Sequence, residues 1–302
     1  VRQGLRATRE CSGACPRAGA RTTVCRVTAD LADAEDYDGT DDDANELDVL
    51  GMVAALRQWG RDNLAGRIIT VCSDKGGVGK TQEAIDLAYA LDAVYVDMDW
   101  NEGNGSRSLG WRHEDYPSSP ILTALTSGKL PRPYLGAKLG RPDLIPCGPD
   151  FEIGQPAQEV ISESLARWAK ELGRCLIVDT HPGTGAAVYG AAAVSHLLVS
   201  PVELADRVLR ALEGWCEEMR GHEILITPNK IPKNPPDRQL RWLEQICAKY
   251  ELPVSLPIPE ADWAPTRAAL NAVLSAKRLS RAKAPYITAL VQIAREVGER
   301  VA

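Results

Sequence analysis

The sequence predicts a three-layer α/β fold with a mostly parallel central sheet flanked by helices, on three observations. Short apolar runs rich in β-branched residues recur at Ile68, Ala93, Cys175, His196 and Ile224. Amphipathic stretches of helical length lie between most of them, the alternation that builds parallel strands. At 302 residues, with 44 % hydrophobic and 25 % charged residues, the chain is long enough and apolar enough to bury such a sheet on both faces.

In chain order, Val1 to about Asp48 shows no sustained period and passes from an Arg/Gly/Ala stretch into an acidic run. It reads as a disordered extension over 1–48, either a dispensable leader or a tail that repels nucleic acid or binds a basic partner. The folded domain is expected over 49–302. Asp30, Asp33, Glu35, Asp36, Asp38, Asp41, Asp42, Asp43, Glu46 and Asp48 account for ten negative charges, so the net −6 becomes +4 without them. A basic face on the folded part is therefore allowed. Because the chain begins with Val1, Met52 is an alternative translation start.

Leu47, Leu50, Val53, Ala54 and Leu56 place a helix ahead of the domain, up to Leu64. Arg67 to Cys72 reads as a buried strand running into Gly-rich sequence, with a helix from Lys80 to Leu91. Strands follow at Ala93–Met98, Leu144–Pro146, Cys175–Asp179, His196–Ser200, Ile224–Thr227 and Pro253–Leu256. Helices are expected at Ala157–Leu172, Glu203–Met219, Pro236–Tyr250, Thr266–Ser280 and Pro285–Val301. None of the apolar runs approaches the roughly 20 residues that cross a bilayer, and the start lacks the apolar core of a secretory signal, so a cytoplasmic protein is expected.

Of the eight cysteines, Cys72, Cys175 and Cys216 fall in apolar patterns and read as small hydrophobes. Cys11, Cys15 and Cys25 match no common zinc spacing and have no evident fourth ligand.

The strongest signal is Asp74-Lys75-Gly76-Gly77-Val78-Gly79-Lys80-Thr81, set between strand and helix. Gly76, Gly77 and Gly79 let the backbone turn its N–H groups around phosphate oxygens, and the helix start adds its positive dipole end. Lys80 would reach the β and γ phosphates and the Thr81 hydroxyl would ligate magnesium, while Val78 and Gln82 complete the nucleotide contacts. This makes the fold a P-loop NTPase, with ATP and Mg2+ as cofactors. Val96-Asp97-Met98-Asp99 brings two carboxylates to the end of the next strand, where α/β folds place ligands. Cys175-Leu-Ile-Val-Asp179-Thr-His-Pro-Gly183 delivers a third acid from a hydrophobic strand, the arrangement that holds magnesium.

With Asp74 where the general motif has its first Gly, the loop resembles the deviant Walker A pattern K-G-G-x-G-K-S/T of the ParA/MinD family of P-loop ATPases. The resemblance covers roughly Ile68 to Ala302. It implies that Lys75 reaches the partner's phosphates across an ATP-bound homodimer. Asp97 to Asn104 resembles the family's D-x-D-P-Q-G-N switch, which assigns Asp99 to the hydrolytic water and Asp97 to magnesium or switch contacts. Trp100 departs from the usual Pro, and one extra residue precedes Gly103-Asn104. Asp179 is the second magnesium-site acid, and His181 is a departure in its loop, either a phosphate donor or a loop histidine without special duty. Pro201-Val-Glu203-Leu resembles a segment near the dimer face. Asn229 resembles the residue that reads adenine through its amide, and Pro257 belongs to a loop resembling the one that closes over the base.

Gly103-Asn104 and Leu144-Ile-Pro146 look closer to the ParA side. That implies a weakly hydrolysing partitioning ATPase that dimerises with ATP, binds DNA nonspecifically on the nucleoid and answers to a ParB-like activator. Lys277, Arg278, Arg281 and Lys283 form the first candidate DNA cluster, and Lys230, Lys233, Arg238 and Arg241 a second; solvated helix faces produce the same pattern. A MinD-like membrane-positioning ATPase and a regulatory P-loop protein with little hydrolysis are the alternatives. The last helix has few basic residues for membrane docking, and the absence of any C-x-x-C argues against an iron–sulfur relative.

Overall fold

The computed structural model of the protein describes residues 42–101, 105–136, 139–263, 271–276 and 281–302. Among them six parallel strands form one sheet in the order β3-β2-β4-β1-β5-β6. The strands are β1 (Ile68–Val71), β2 (Val94–Met98), β3 (Asp143–Ile145), β4 (Leu176–Thr180), β5 (Leu197–Val202) and β6 (Ile224–Pro228). Every strand residue is buried, which is why these segments read as continuous apolar runs rather than alternating ones. Val71 and Asp97 are both register partners of Asp179, so the C-terminal ends of β1, β4 and β2 lie side by side.

The strand period of two sorts side chains into the two outer layers. Ile69, Val71, Tyr95, Ile177 and Val199 join the core formed with α1 (Asp42–Asn63), α2 (Lys80–Ala90) and the terminal helix α10 (Ala284–Val301). The apolar face of α10, including Ile287, Leu290, Ile293 and Val297, is spent on this layer, as expected for a core-packing helix. On the opposite face, Ile68, Val94, Val96, Leu176 and Val178 meet α4 (Pro120–Ser127), α5 (Asp150–Gly154), α6 (Gln158–Leu172) and α7 (Ala186–Ala192), with Trp168 and Phe151 fully buried. The remainder of that face, over β5 and β6, is covered by α8 (Asp206–Glu218) and α9 (Asp237–Tyr250) around Trp215. A four-residue helix α3 (Gly105–Ser108) follows β2. No described helix is long and apolar enough to cross a membrane.

Three expectations need correction. Helix α1 starts at Asp42, inside the span read as disordered. Pro253–Leu256 is a single bridge from Val254 to Ile226 rather than a strand, because Pro253 and Pro257 interrupt the donor series a ladder needs. In the described part of Thr266–Ser280, a 3-10 turn (Val273–Ser275) with extended flanking residues replaces the expected helix. Its Leu274 N–H donates to Asp86 on α2 at 3.0 Å, and Val273 and Leu274 enter the core, so side-chain capture overrides helical propensity. Helices α4, α5 and α7 were not anticipated.

Candidate functional site

Strand β1 ends at Val71 and the chain turns through Ser73 to Gly79 before α2 begins at Lys80. The turn needs left-handed backbone at Gly77 (φ 83°) and Gly79 (φ 98°), a conformation that L side chains rarely adopt. A Cβ at Gly79 would also strike the Asn229 amide. The loop carbonyls are tied to protein donors. Ser73 Oγ donates to Lys75 O (2.9 Å), Lys230 Nζ to Gly77 O, and Asn229 Nδ2 to Val78 O (2.9 Å). Gly183 N–H donates to Ser73 O at 3.1 Å, joining the loop to the segment after β4.

Lys80 is the first residue of α2 and is only 5 % exposed. Burial lowers its pKa, and the charges of Asp179 and Asp99 pull it back up. Asp179 is fully buried on β4; its Oδ2 accepts from the Tyr95 hydroxyl at 2.8 Å, and its Oδ1 has no hydrogen bond of good geometry. Burial pushes its pKa up to about 6 against the lowering influence of Lys80, Thr81 and Tyr95. A buried carboxylate oxygen without a well-aligned hydrogen bond, next to the Thr81 hydroxyl, is the donor chemistry that suits a hard divalent cation. Among the described residues no group of three His, Cys, Asp or Glu side chains forms a metal site by itself. Cation binding here therefore needs oxygens from a ligand or water.

Asp97, also fully buried, is committed differently. Its Oδ1 accepts the Asp99 N–H at 3.1 Å, and its Oδ2 accepts both the N–H (2.6 Å) and the hydroxyl (2.5 Å) of Ser106. Ser106 Oγ in turn accepts the Cys147 N–H at 2.9 Å. Burial and the Asp179 charge raise the Asp97 pKa well above the carboxylate range, while the Ser106 and Asp99 bonds oppose this. These bonds tie the Asp97 carboxylate to Asp99 and Ser106.

Asp99 lies at the mouth of the site. Its Oδ1 accepts the Asn101 N–H at 3.1 Å and pairs with His181 Nδ1 at 3.0 Å. Lys75 is about half exposed and pairs with Asp74 at 3.0 Å. Gln82 Nε2 donates to Asp86 at 2.5 Å. Asn229 is buried, with its Oδ1 taken by the Lys230 N–H at 2.8 Å, so most of its amide is committed to the protein. Pro257 lines a small cavity with Leu240, Leu243 and Cys247 of α9.

The basic clusters fare unequally. Lys277 and Arg278 lie outside the described residues, as do Gly103, Asn104 and the three N-terminal cysteines; Arg281 has a described backbone only. The Lys283 ammonium sits 4.9 Å from the Trp263 ring centroid. The second cluster is not a free set of cations, since Lys230 pairs with Glu203 and Arg238 with Asp206. Cys72, Cys175 and Cys216 are buried free thiols with pKa values raised to about 12, as expected of small hydrophobes.

Sequence reasoning missed Tyr95 and Ser106. Tyr95 reads as one more apolar strand residue, and its hydroxyl was the available signal, since a buried phenol almost always has a partner. A cavity of about 270 Å³ lined by Trp111, Tyr116, Tyr134 and Arg141 includes none of the loop residues.

No protein-family model matches the chain. It is 27 % identical over 159 residues to the chromosome partitioning protein ParA of Myxococcus xanthus, covering 49 % of this chain and 56 % of that one. It is 33 % identical over 162 residues to a probable plasmid-partitioning protein ParA of Thermus thermophilus, covering 50 % of this chain and 49 % of that one. The chain thus spans about half the length of these curated relatives. In fold it resembles an ATP complex of Cyanothece McdA, with a TM-score of 0.62, 16 % identity, and coverage of 78 % of this chain and 95 % of that one. Over about half its length the chain is thus similar in sequence to ParA partitioning proteins, and in fold it is similar to McdA.

Proposed function

We propose that this chain binds magnesium ATP on Lys75–Thr81 and hydrolyses it slowly, and that two ATP-loaded copies associate and hold DNA without sequence preference. The observation that carries the reading is the buried Lys80 beside Asp179, whose Oδ1 makes no hydrogen bond of good geometry, at the end of a left-handed glycine loop. The partitioning relatives and the ATP complex of McdA support it.

In this reading the N–H groups of Gly76, Gly77, Val78 and Gly79 and the Lys80 ammonium hold the triphosphate. Thr81 and Asp179 hold magnesium, which when bound neutralises charge on the phosphate oxygens. Asp97 holds the Asp99 N–H and the Ser106 N–H and hydroxyl through its three accepted hydrogen bonds. Asp99 orients the attacking water, whose oxygen bonds to the γ phosphorus as the bond to the ADP oxygen breaks, giving ADP and inorganic phosphate. Gln82, Asn229 and Pro257 border the nucleotide, with the second Nδ2 hydrogen of Asn229 left for a base edge. Lys75 reaches the partner copy's phosphates, and Lys277, Arg278, Arg281 and Lys283 meet DNA phosphates. A ParB-like protein stimulates hydrolysis, and DNA binding keeps the dimer on the nucleoid.

Titration with magnesium ATP tests the core of this. Lys80→Ala should weaken affinity roughly 10- to 100-fold, the loss expected of a charge-assisted phosphate contact; unchanged affinity rejects the phosphate role. Retention of the protein on DNA should require ATP and fail with ADP or no nucleotide. Capture by liposomes in place of DNA would replace the DNA reading with a membrane one.

A further inference from the structure

Two residues that depart from the family pattern, Trp100 after β2 and His181 after β4, meet in the structure. β2 and β4 run in register to Met98 and Thr180, so Asp99 and His181 are the next residues out on adjacent strands. The His181 ring lies flat on the Trp100 indole, with centroids 4.0 Å apart and planes 16° from parallel. Trp100 in turn lies 6.3 Å from Phe151, a fully buried residue of the core. The stack therefore links the imidazole to a rigid part of the molecule.

His181 Nδ1 is 3.0 Å from Asp99 Oδ1 and 3.2 Å from Asn101 Nδ2; a protonated Nδ1 can donate only to the carboxylate, so the first contact is the hydrogen bond, and the Asn101 N–H also donates to Asp99 Oδ1 at 3.1 Å. Asp99 Oδ1 is thus held by both His181 and Asn101. Two contacts on one oxygen restrict rotation of the Asp99 carboxylate. Asp99 acts on Lys80 electrostatically, so this carboxylate belongs to the loop site.

We propose that His181 is a positioning residue for Asp99: clamped on Trp100, it donates through Nδ1 to Oδ1 and so holds the carboxylate in the orientation from which it directs the water that attacks the γ phosphorus. This rests on the ATPase reading above. Here a stacked imidazole does the fixing, and Trp100 occupies the place from which a Pro would otherwise stiffen the turn. The pair is one device split between two motifs. Seen separately, each looks like a defect.

The test is steady-state phosphate release, paired with binding of a non-hydrolysable ATP analogue, in the full chain with magnesium. His181→Ala should lower kcat about 10- to 100-fold, the cost of a small misplacement of a reacting group, with KM and analogue affinity within about threefold. His181→Asn places an amide donor where Nδ1 stood and should recover most of the lost kcat. In an Asp99→Asn background, His181→Ala should cost nothing further. Unchanged kcat in His181→Ala, equal losses of kcat and analogue affinity, or no recovery with Asn would each overturn the proposal. Failure of the wild-type chain to bind ATP would instead remove the ATPase reading on which it stands. Binding without any hydrolysis would remove the positioning role alone.

Discussion

His196, at the entrance to β5, accepts the Ile68 N–H on its Nδ1 at 3.1 Å, bridging the starts of two neighbouring strands. Burial and the nearby Arg67 charge lower its pKa. A depressed histidine stabilises the fold when neutral, above its unfolded pKa of about 6.5, and that stability is lost as pH falls through the folded value. The melting temperature should therefore fall between pH 7 and pH 5, by roughly 1–2 °C because solvent screens so exposed a ring. His196→Asn, whose Oδ1 can accept the same N–H, should flatten that dependence in calorimetry. At this scale the candidate site was largely legible. Lys80, Asp97, Asp99 and Asp179 announce themselves by type and by position after buried strands. What escaped were residues whose role depends on a partner far along the chain, such as Tyr95 on Asp179, 84 positions away. His181 was visible, yet nothing local ties it to Asp99.

Helix α1 shows the same limit one level up. Its existence was readable from the spacing of Leu50, Val53 and Leu56, but its docking was not. Arg57 bonds to the Tyr89 carbonyl and the Asp92 carboxylate at the end of α2, Arg61 pairs with Asp92 at 3.1 Å, and Gly60 lies against the Leu91 backbone. A Cβ at Gly60 would collide with the Leu91 carbonyl, which cannot move without disturbing the end of α2. Gly60→Ala raises helix propensity, so a propensity argument alone predicts stabilisation. The contact predicts the opposite, a loss of about 1–3 kcal/mol from overpacking, measurable by urea denaturation. The elements read correctly were those with a long period or a run of β-branched residues. The Gly/Ala-rich α7 carries neither, and its Gly190 packs against the Gln158 carbonyl where a methyl group would not fit.

For the whole molecule, the sheet order places the glycine loop between the acid at the end of β4 and the Glu203 segment after β5. Lys75 extends from this edge, paired among the described residues with Asp74. Lys75→Ala should leave ATP affinity within about threefold while reducing ATP-dependent dimerisation roughly tenfold or more, as expected for loss of a charge that acts only across two copies. Analytical ultracentrifugation with and without ATP checks it, and identical sedimentation of the two proteins would remove the cross-dimer role. Lys230 adds a last point. It holds a left-handed backbone (φ 54°) while its ammonium spans Gly77 O and Glu203. With Asn229 on Val78 O and Gly183 on Ser73 O, the glycine turn is braced by segments from three other strands' ends. Its shape is set when the chain folds, so an arriving anion meets a finished mould and loses little affinity to ordering the backbone.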